Sequence, residues 1–357
     1  MKKEAVGLAK VSTTATIVVV VACNQTQRII RKFAKECATP VSKLWQIADA
    51  LVSDMHASLA SNHSKSTLNM LVAYVDSLPN GVPISAHAKH HFLLYYGINL
   101  RGTNSLILCA RLGGNDEPIS DLHREEIHTP SNVMLGTSQE LYDNMAVEIE
   151  KLISAHPEDD NGPAKEKKLG FILSYLVEQA ASTSGSAIKW KIFAVNDAVK
   201  FAYLNFNLLV DDTIGNLARG RYYDRETMVV VTVGMGTNAA YVESPQAVPK
   251  WEGPSPKAGE MVISKEWGNF SSFHLPITEY DASLDAGSSN PGPRIFEKLT
   301  SKMYLGEIVR RVLLKIAQET ALFGDIVPPK LRVPFQLRSY SSESAVASRL
   351  CDQQSAR

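Results

Sequence analysis

The chain has 357 residues, 37 of them basic and 37 acidic, with no net charge and a hydrophobic fraction of 45%. Such a length and fraction support a true core in two domains or one large one, and the balanced charge excludes the broad basic surface that nucleic acid would call for. Four cysteines (Cys23, Cys37, Cys109, Cys351) have no paired spacing, which reads as reduced thiols in an intracellular protein rather than a disulfide framework or a zinc site.

Lys2 and Lys3 open the chain, and Val11 to Cys23 is a run of 13 residues without charge. That is short of the ~20 residues of a spanning helix. Arg28, Arg31, Lys32 and Lys35 follow, a basic flank that argues against a cleaved secretion signal. The expectation is a membrane anchor over residues 1–24 or a helix lying in the membrane surface, with a disordered tail as the alternative. Thr39-Pro40 then reads as the start of a helix carrying Val41, Leu44, Ile47, Ala48, Leu51, Val52 and Met55 at helical spacing. A short helix is expected over Leu68 to Tyr74. His87, His90 and His91 stand close together without a carboxylate or cysteine beside them; they read as solvated, and no metal site is expected.

Strands are expected over Phe92 to Ile98 and Leu106 to Ala110, joined by the turn Asn99 to Asn104, with a further hairpin at Gly113-Gly114-Asn115. Thr137-Ser138-Gln139-Glu140 is a capping-box signature before a helix with Leu141, Met145, Ile149 and Leu152 on one face. Residues 156–168 read as a charged loop, Leu169 to Tyr175 as a strand, and Ser182 to Ser186 as a turn.

Residues 205–243 concentrate the chemistry. The apolar run Phe206 to Val210 suits a buried strand and delivers Asp211 and Asp212 at its end. A second strand, Met228 to Val233, runs into Gly234-Met235-Gly236-Thr237-Asn238, and a third leaves from Ala239. A carboxylate at one strand end takes a proton, and a glycine hairpin at the next offers backbone N–H groups to phosphate. A plain α/β turn would look the same. Beyond it, Met261 to Ser264 is strand-like. Ile295, Phe296, Leu299, Met303, Ile308, Val309, Val312, Leu313 and Ile316 form one long helical stripe, and the serine-rich end from Ser339 is expected to be disordered.

Several long blocks carry a resemblance: CATPVSKLWQIADALVSDMHASLAS, MGTNAAYVE, WGNF after Glu266, HLPITEYDASLDA, and SSNPGPRIFEKLTSKMYLGEIVRRVLLK. With them the chain resembles plant hexokinases up to about Arg338. RIIRKFAKECATPVSKLW and the INLRG turn look most like the divergent hexokinase-like proteins of plants. The apolar N-terminus resembles the anchor of plant hexokinases on the mitochondrial outer membrane, facing the cytosol. The resemblance implies an α/β, two-domain actin-like ATPase (ribonuclease H-like) fold, incomplete at its C-terminal end. Residues 25–205 would be the small-domain region, 206–338 the large-domain region and 339–357 the tail. It implies ATP with Mg2+ as cofactor and glucose or another hexose as the molecule phosphorylated, at the 6-hydroxyl. Asp212 is then the general base. Ser174, Asp211, Asn238, Glu266 and Glu297 match the sugar ligands, with Asp211 in place of an asparagine. Gly102, Thr103, Asn104, Gly234, Gly236 and Thr237 match the two phosphate hairpins.

Departures accompany the match. Asn99 stands where the family has the aspartate that helps hold magnesium, Arg101 where it has a hairpin glycine, and Met235 where it has a threonine. Lys191 and Ile192 replace a sugar-binding threonine and lysine, the stretch from Phe193 to Asn205 is shorter, and the glycine-rich adenosine region is not reached. Three readings follow: a working hexose phosphotransferase, a non-catalytic hexose-binding regulator, or a shortened product with little stable fold.

Overall fold

The structure, a computed structural model, describes residues 23–62, 65–73, 78–79, 94–101, 104–112, 119–134, 136–156, 168–173, 177–181, 184–187, 208–253, 255–256, 259–320 and 326–337. No helix among them is long and apolar enough to cross a membrane. Most of the expected anchor lies outside the described residues, as do His87, His90, His91, the hairpin at 113–115, the loop 157–167 and the tail from 338. The described residues form two compact units. One gathers those up to Asp54, 233–237 and those from Trp267 on; the other holds 55–232 and 238–266.

The first unit opens with α1, helical over 23–36, and α2 (Val41–Ala60), whose last residues, from Met55, belong to the second unit. The apolar spacing of α2 gives the expected helix, yet Val41, Leu44, Trp45 and Val52 are exposed and only Ser58 and Leu59 are buried.

In the second unit the first element is β1 (Leu71–Ala73), a strand where the sequence suggested a helix. A run as short as LNMLVAY has no decisive period, so a tertiary partner decides it. That partner is the strand at 261–264, with Leu71 opposite Ser264. Then β2 (Leu94–Arg101), β3 (Asn104–Arg111) and β4 (Ser120–His128) form an antiparallel meander. β4 (SDLHREEIH) is too polar to show a strand pattern on its own; it is an edge strand with mostly exposed side chains.

After α3 (Ser131–Met134) comes α4 (Ser138–Ala155). Its predicted capping box is formed, Thr137 and Glu140 capping each other reciprocally. Leu152 of α4 packs with Tyr96, Ile107 and Cys109 on one face of the meander. β5 (Lys168–Leu173) joins β2 in parallel. β6 (Val177–Ala181) and β7 (Ser184–Ala187) make a two-stranded ribbon; of the turn expected over Ser182 to Ser186, residues 184–186 are in β7 and 182–183 lie outside the described residues. β8 (Leu208–Asp211) joins β5 in parallel and closes the sheet order β4-β3-β2-β5-β8.

α5 (Asp212–Tyr223) follows directly. A second sheet, of order β1-β11-β10-β9, contains β9 (Val229–Val233), β10 (Thr237–Glu243) and β11 (Met261–Ser264). Ile214 and Leu217 of α5 are buried against Ala240, Val242 and Val262 of that sheet, with Ile172 of β5 packed on the same cluster. α5 is thus the element wedged between the two sheets.

The first unit resumes with α6 (Glu279–Ala286), α7 (Ile295–Thr300), α8 (Lys302–Glu319) and α9 (Pro329–Arg332). The single long helix expected from Ile295 to Ile316 is therefore two. Ser301 is extended, φ −84° and ψ 150°, and the freed N–H of Lys302 donates to the Gly234 carbonyl. Met303 and Val309, assigned to the buried stripe from sequence, are exposed because α8 starts anew. Tyr280, Leu284, Tyr304, Ile308, Val312 and Ile316 form the core, with Ile29 and Phe33 of α1 packed on it.

Glu307 of α8 is wholly buried. It receives two hydrogen bonds from Arg310 and the Phe335 N–H at 2.8 Å, and Arg310 donates to the Leu331 carbonyl, tying α9 down. Burial opposes its ionisation, yet these donors hold its carboxyl below the usual range. Glu307→Ala strands a buried guanidinium, so chemical denaturation should register a loss of about 3–5 kcal/mol.

Candidate active site

β2, β5 and β8 run parallel, and their carboxyl ends share one edge, with Leu100 opposite Leu173 and Leu173 opposite Asp211. In open α/β sheets that edge is where ligands bind. Strand spacing puts the end of β2 about 10 Å from the end of β8. Ser174, expected to bind sugar, follows β5 directly but lies outside the described residues, as do Gly102, Thr103, Lys191 and Ile192.

Asp211 is the N-cap of α5 and its carboxylate accepts the Ile214 N–H at 2.8 Å. The residue is only 5% exposed. Burial raises its carboxyl from the ordinary 3.8 to about 6, and the neighbouring Asp212 charge adds to the rise, while the Ile214 N–H, the Ser264 hydroxyl and the Thr213 N–H oppose it. Asp212, the expected base, is the first helical residue and half-buried. A carboxylate there is favoured by the helix dipole.

Asn238 of β10 and Glu266, just beyond β11, lock together. The Asn238 amide donates to Glu266 Oε1 at 2.7 Å and to Ser264 Oγ at 2.9 Å. Its carbonyl oxygen accepts the N–H groups of Ala239 at 2.8 Å and Glu266 at 3.0 Å. Two backbone donors on that oxygen fix which end of the amide is which. Both Asn238 donors are used inside the protein, so what it organises is the Glu266 carboxylate. Glu266 is 8% exposed, not the open turn residue its sequence setting also allowed, and has φ +53°. A left-handed non-glycine held this way is a cost that active sites commonly carry.

Ser264 went unnoticed in the sequence. Its hydroxyl donates to Glu266 at 3.1 Å and accepts from Asn238, so it joins the two, and it favours the ionised form of Asp211. The signal was there: it is the polar residue that ends the apolar strand β11, two residues before Glu266.

The first phosphate hairpin is differently disposed. Arg101 ends β2, exposed, opposite Asn104. The Asn104 amide donates to Glu126 at 3.1 Å, and its oxygen meets His128 Nδ1 at 3.1 Å. Those β4 partners occupy the side chain of Asn104, the one described residue of the three expected in that hairpin. No group of three or more metal-ligating side chains occurs among the described residues.

The second hairpin and Glu297 belong to the first unit. The Gly234 N–H donates to the Gly236 carbonyl at 2.8 Å, and Met235 is 70% exposed. Thr237 accepts the Trp267 indole N–H at 3.0 Å. Glu297 is 7% exposed, paired with Arg294 at 2.6 Å, and lies against two glycines: a Cβ on Gly236 or Gly268 would come within 3.2 or 3.1 Å of its carboxylate oxygen. Gly236 therefore makes room for a carboxylate as well as forming a turn.

Two family models, both described as Hexokinase, match residues 29–222 and 228–355. The chain belongs to the hexokinase family. Hexokinase-1 of Nicotiana tabacum is 44% identical over 95% of this chain and 72% of its own length. Hexokinase-1 of Arabidopsis thaliana is 43% identical over the same shares. Among solved structures, the hexokinase from Schistosoma mansoni complexed with glucose matches with a TM-score of 0.71 and 27% identity, over 88% of this chain and 72% of that one. The fold is accordingly the α/β sugar-kinase fold of hexokinases, and the activity of the family is hexose phosphorylation, generally with ATP and Mg2+.

Because the native state of this hexokinase-family chain holds the Asp211 proton more tightly than the unfolded chain does, stability falls as pH rises from 3.8 to about 6 and stays lowered above. Asp211→Asn keeps the cap without the buried charge. Urea unfolding should find it more stable than wild type by about 1–3 kcal/mol above pH 6, with the gain gone below about pH 4.

Proposed function

We propose that this chain binds a hexose and transfers phosphate poorly or not at all. A contrast within the second unit supports the reading. Asp211, Ser264 and Glu266 are buried and Asp212 and Asn238 half-buried, a set of acceptors suited to sugar hydroxyls. Two strands away, Arg101 replaces a small residue and Asn104 is held by Glu126 and His128. A magnesium-bound triphosphate does not fit that turn: Asn99 offers a neutral amide, and a guanidinium repels the metal while filling space beside it. No transfer step is assigned to these residues. Glucose is the proposed ligand, as in the similar Schistosoma mansoni hexokinase. Asp212 is proposed as the residual base; Glu297 and Ser174 are proposed as hexose ligands on family resemblance alone.

A coupled assay on the purified chain should find glucose phosphorylation lower by about 10²–10³ or more than in ordinary hexokinases, the loss expected from one or more stabilising groups. Ordinary turnover that disappears in Asp212→Ala would refute the impairment and restore the enzyme.

The proposed location is the mitochondrial outer membrane, facing the cytosol, through residues 1–24, with a cytosolic protein if that segment does not anchor. The domain limits at 205 and 338 are proposed on the same resemblance. The uncharged run Val11 to Cys23 and its basic flank motivate the location. A fluorescent fusion of the full chain should mark that membrane and become cytosolic when residues 1–24 are deleted. Uniform cytosolic signal from the undeleted fusion removes the anchor.

A further inference from the structure

We infer that Arg294 sets the hexose affinity of this chain: its guanidinium occupies the Glu297 carboxylate and competes with a sugar hydroxyl for it. The inference rests on the hexose reading, in which Glu297 is a ligand, and deepens it.

The groups concerned all lie in the first unit. The Arg294 guanidinium donates to Glu297 Oε2 at 2.6 Å. The same oxygen is the one that a Cβ on Gly236 or Gly268 would crowd, at 3.2 and 3.1 Å. Two glycines thus pack close to Oε2, and a cation meets it. Of the pair the carboxylate is the inner partner, its side chain 9% exposed, and the arginine the outer, at 41%. A guanidinium has only donors, and a sugar hydroxyl meets a carboxylate as a donor too. Both therefore compete for Oε2. A carboxylate already engaged in a charge-assisted bond is also a poorer acceptor for a neutral hydroxyl, because the ionised donor makes the stronger bond.

An ordinary i,i+3 pair on a helix needs no special backbone, yet Arg294 has φ +62° and ψ 39°, the left-handed region that a non-glycine residue enters at a cost. Its side chain makes no hydrogen bond that caps α7, and its Nε is buried without a partner among the described residues. The flanking segments are held without it. On one side the Lys298 ammonium meets Asp285 at 2.5 Å and the Asn290 carbonyl at 2.7 Å, and the Gly292 N–H donates to the Asp285 carboxylate at 3.0 Å. On the other, Phe296 packs edge-on against Trp267 and Phe270. Lys298 is thereby turned to Asp285, and the ion pair of Glu297 is with Arg294. A strained arginine with one unpartnered nitrogen can be displaced or replaced while the loop before it and α7 after it keep their own fastenings.

The test is calorimetry with glucose on the full chain, at low and at high salt, for wild type, Arg294→Gln and Arg294→Asn, and for Glu297→Gln with and without Arg294→Gln. Asparagine tolerates the left-handed backbone, so that variant keeps the fold if the glutamine variant does not. Arg294→Gln and Arg294→Asn should bind glucose about two- to tenfold more tightly than wild type. Salt screens a partly exposed ion pair, so the wild-type affinity for this uncharged ligand should rise with salt, and that of the two neutral variants should not. In the Glu297→Gln background, Arg294→Gln should gain nothing, because the pair it would break is already gone. Measured binding that is equal or weaker in both neutral variants overturns the inference and leaves the hexose reading intact. A gain that persists in the Glu297→Gln background overturns it as well. No heat from folded wild type or from either neutral variant overturns both readings.

Discussion

One hydrogen bond organises the second unit: the Asp211 carboxylate accepting the Ile214 N–H. It ends β8, starts α5 and directs the chain back across the sheet. Ile214 and Leu217 can then bury themselves against β10 and β11, so the contact that begins the helix also joins the two sheets. At the end of β11, Ser264, Glu266 and Asn238 are bonded to one another. A capping interaction worth on the order of 1 kcal/mol thereby sets where Asp211 and Asp212 stand, at the end of β8 and the start of α5.

That arrangement carries a cost. Asp211 is buried with its charge opposed by its surroundings, and Glu266 keeps a left-handed backbone. An asparagine at 211 would cap the helix equally well and add a donor.

The first unit gives its own carboxylate a different setting. Glu297 is held by Arg294 and fitted against Gly236 and Gly268, where any side chain would crowd it. The break at Ser301 lets the Lys302 N–H reach the Gly234 carbonyl, so the hairpin turn 233–237 is fastened to the start of α8. Gly236, which reads as a phosphate contact in sequence, thus also has a packing reason within this unit.

Local signals were legible in the sequence. The capping box at Thr137, the strand Met261–Ser264, and the placing of Asp211 and Asp212 at a strand end all depend on neighbours within a few residues. Long specific blocks also carried the family. Tertiary contacts decided the rest. β1 is a strand because β11 lies beside it, and polar β4 is one because β3 does. Asn104 is occupied because β4 brings Glu126 and His128 to it from 22 and 24 residues away. Ser264 became a site residue only when α5 brought Asp211 to the end of β11. Hydrophobic period and capping chemistry are written in consecutive residues, whereas the partner of a buried polar group is chosen by which distant segment packs against it.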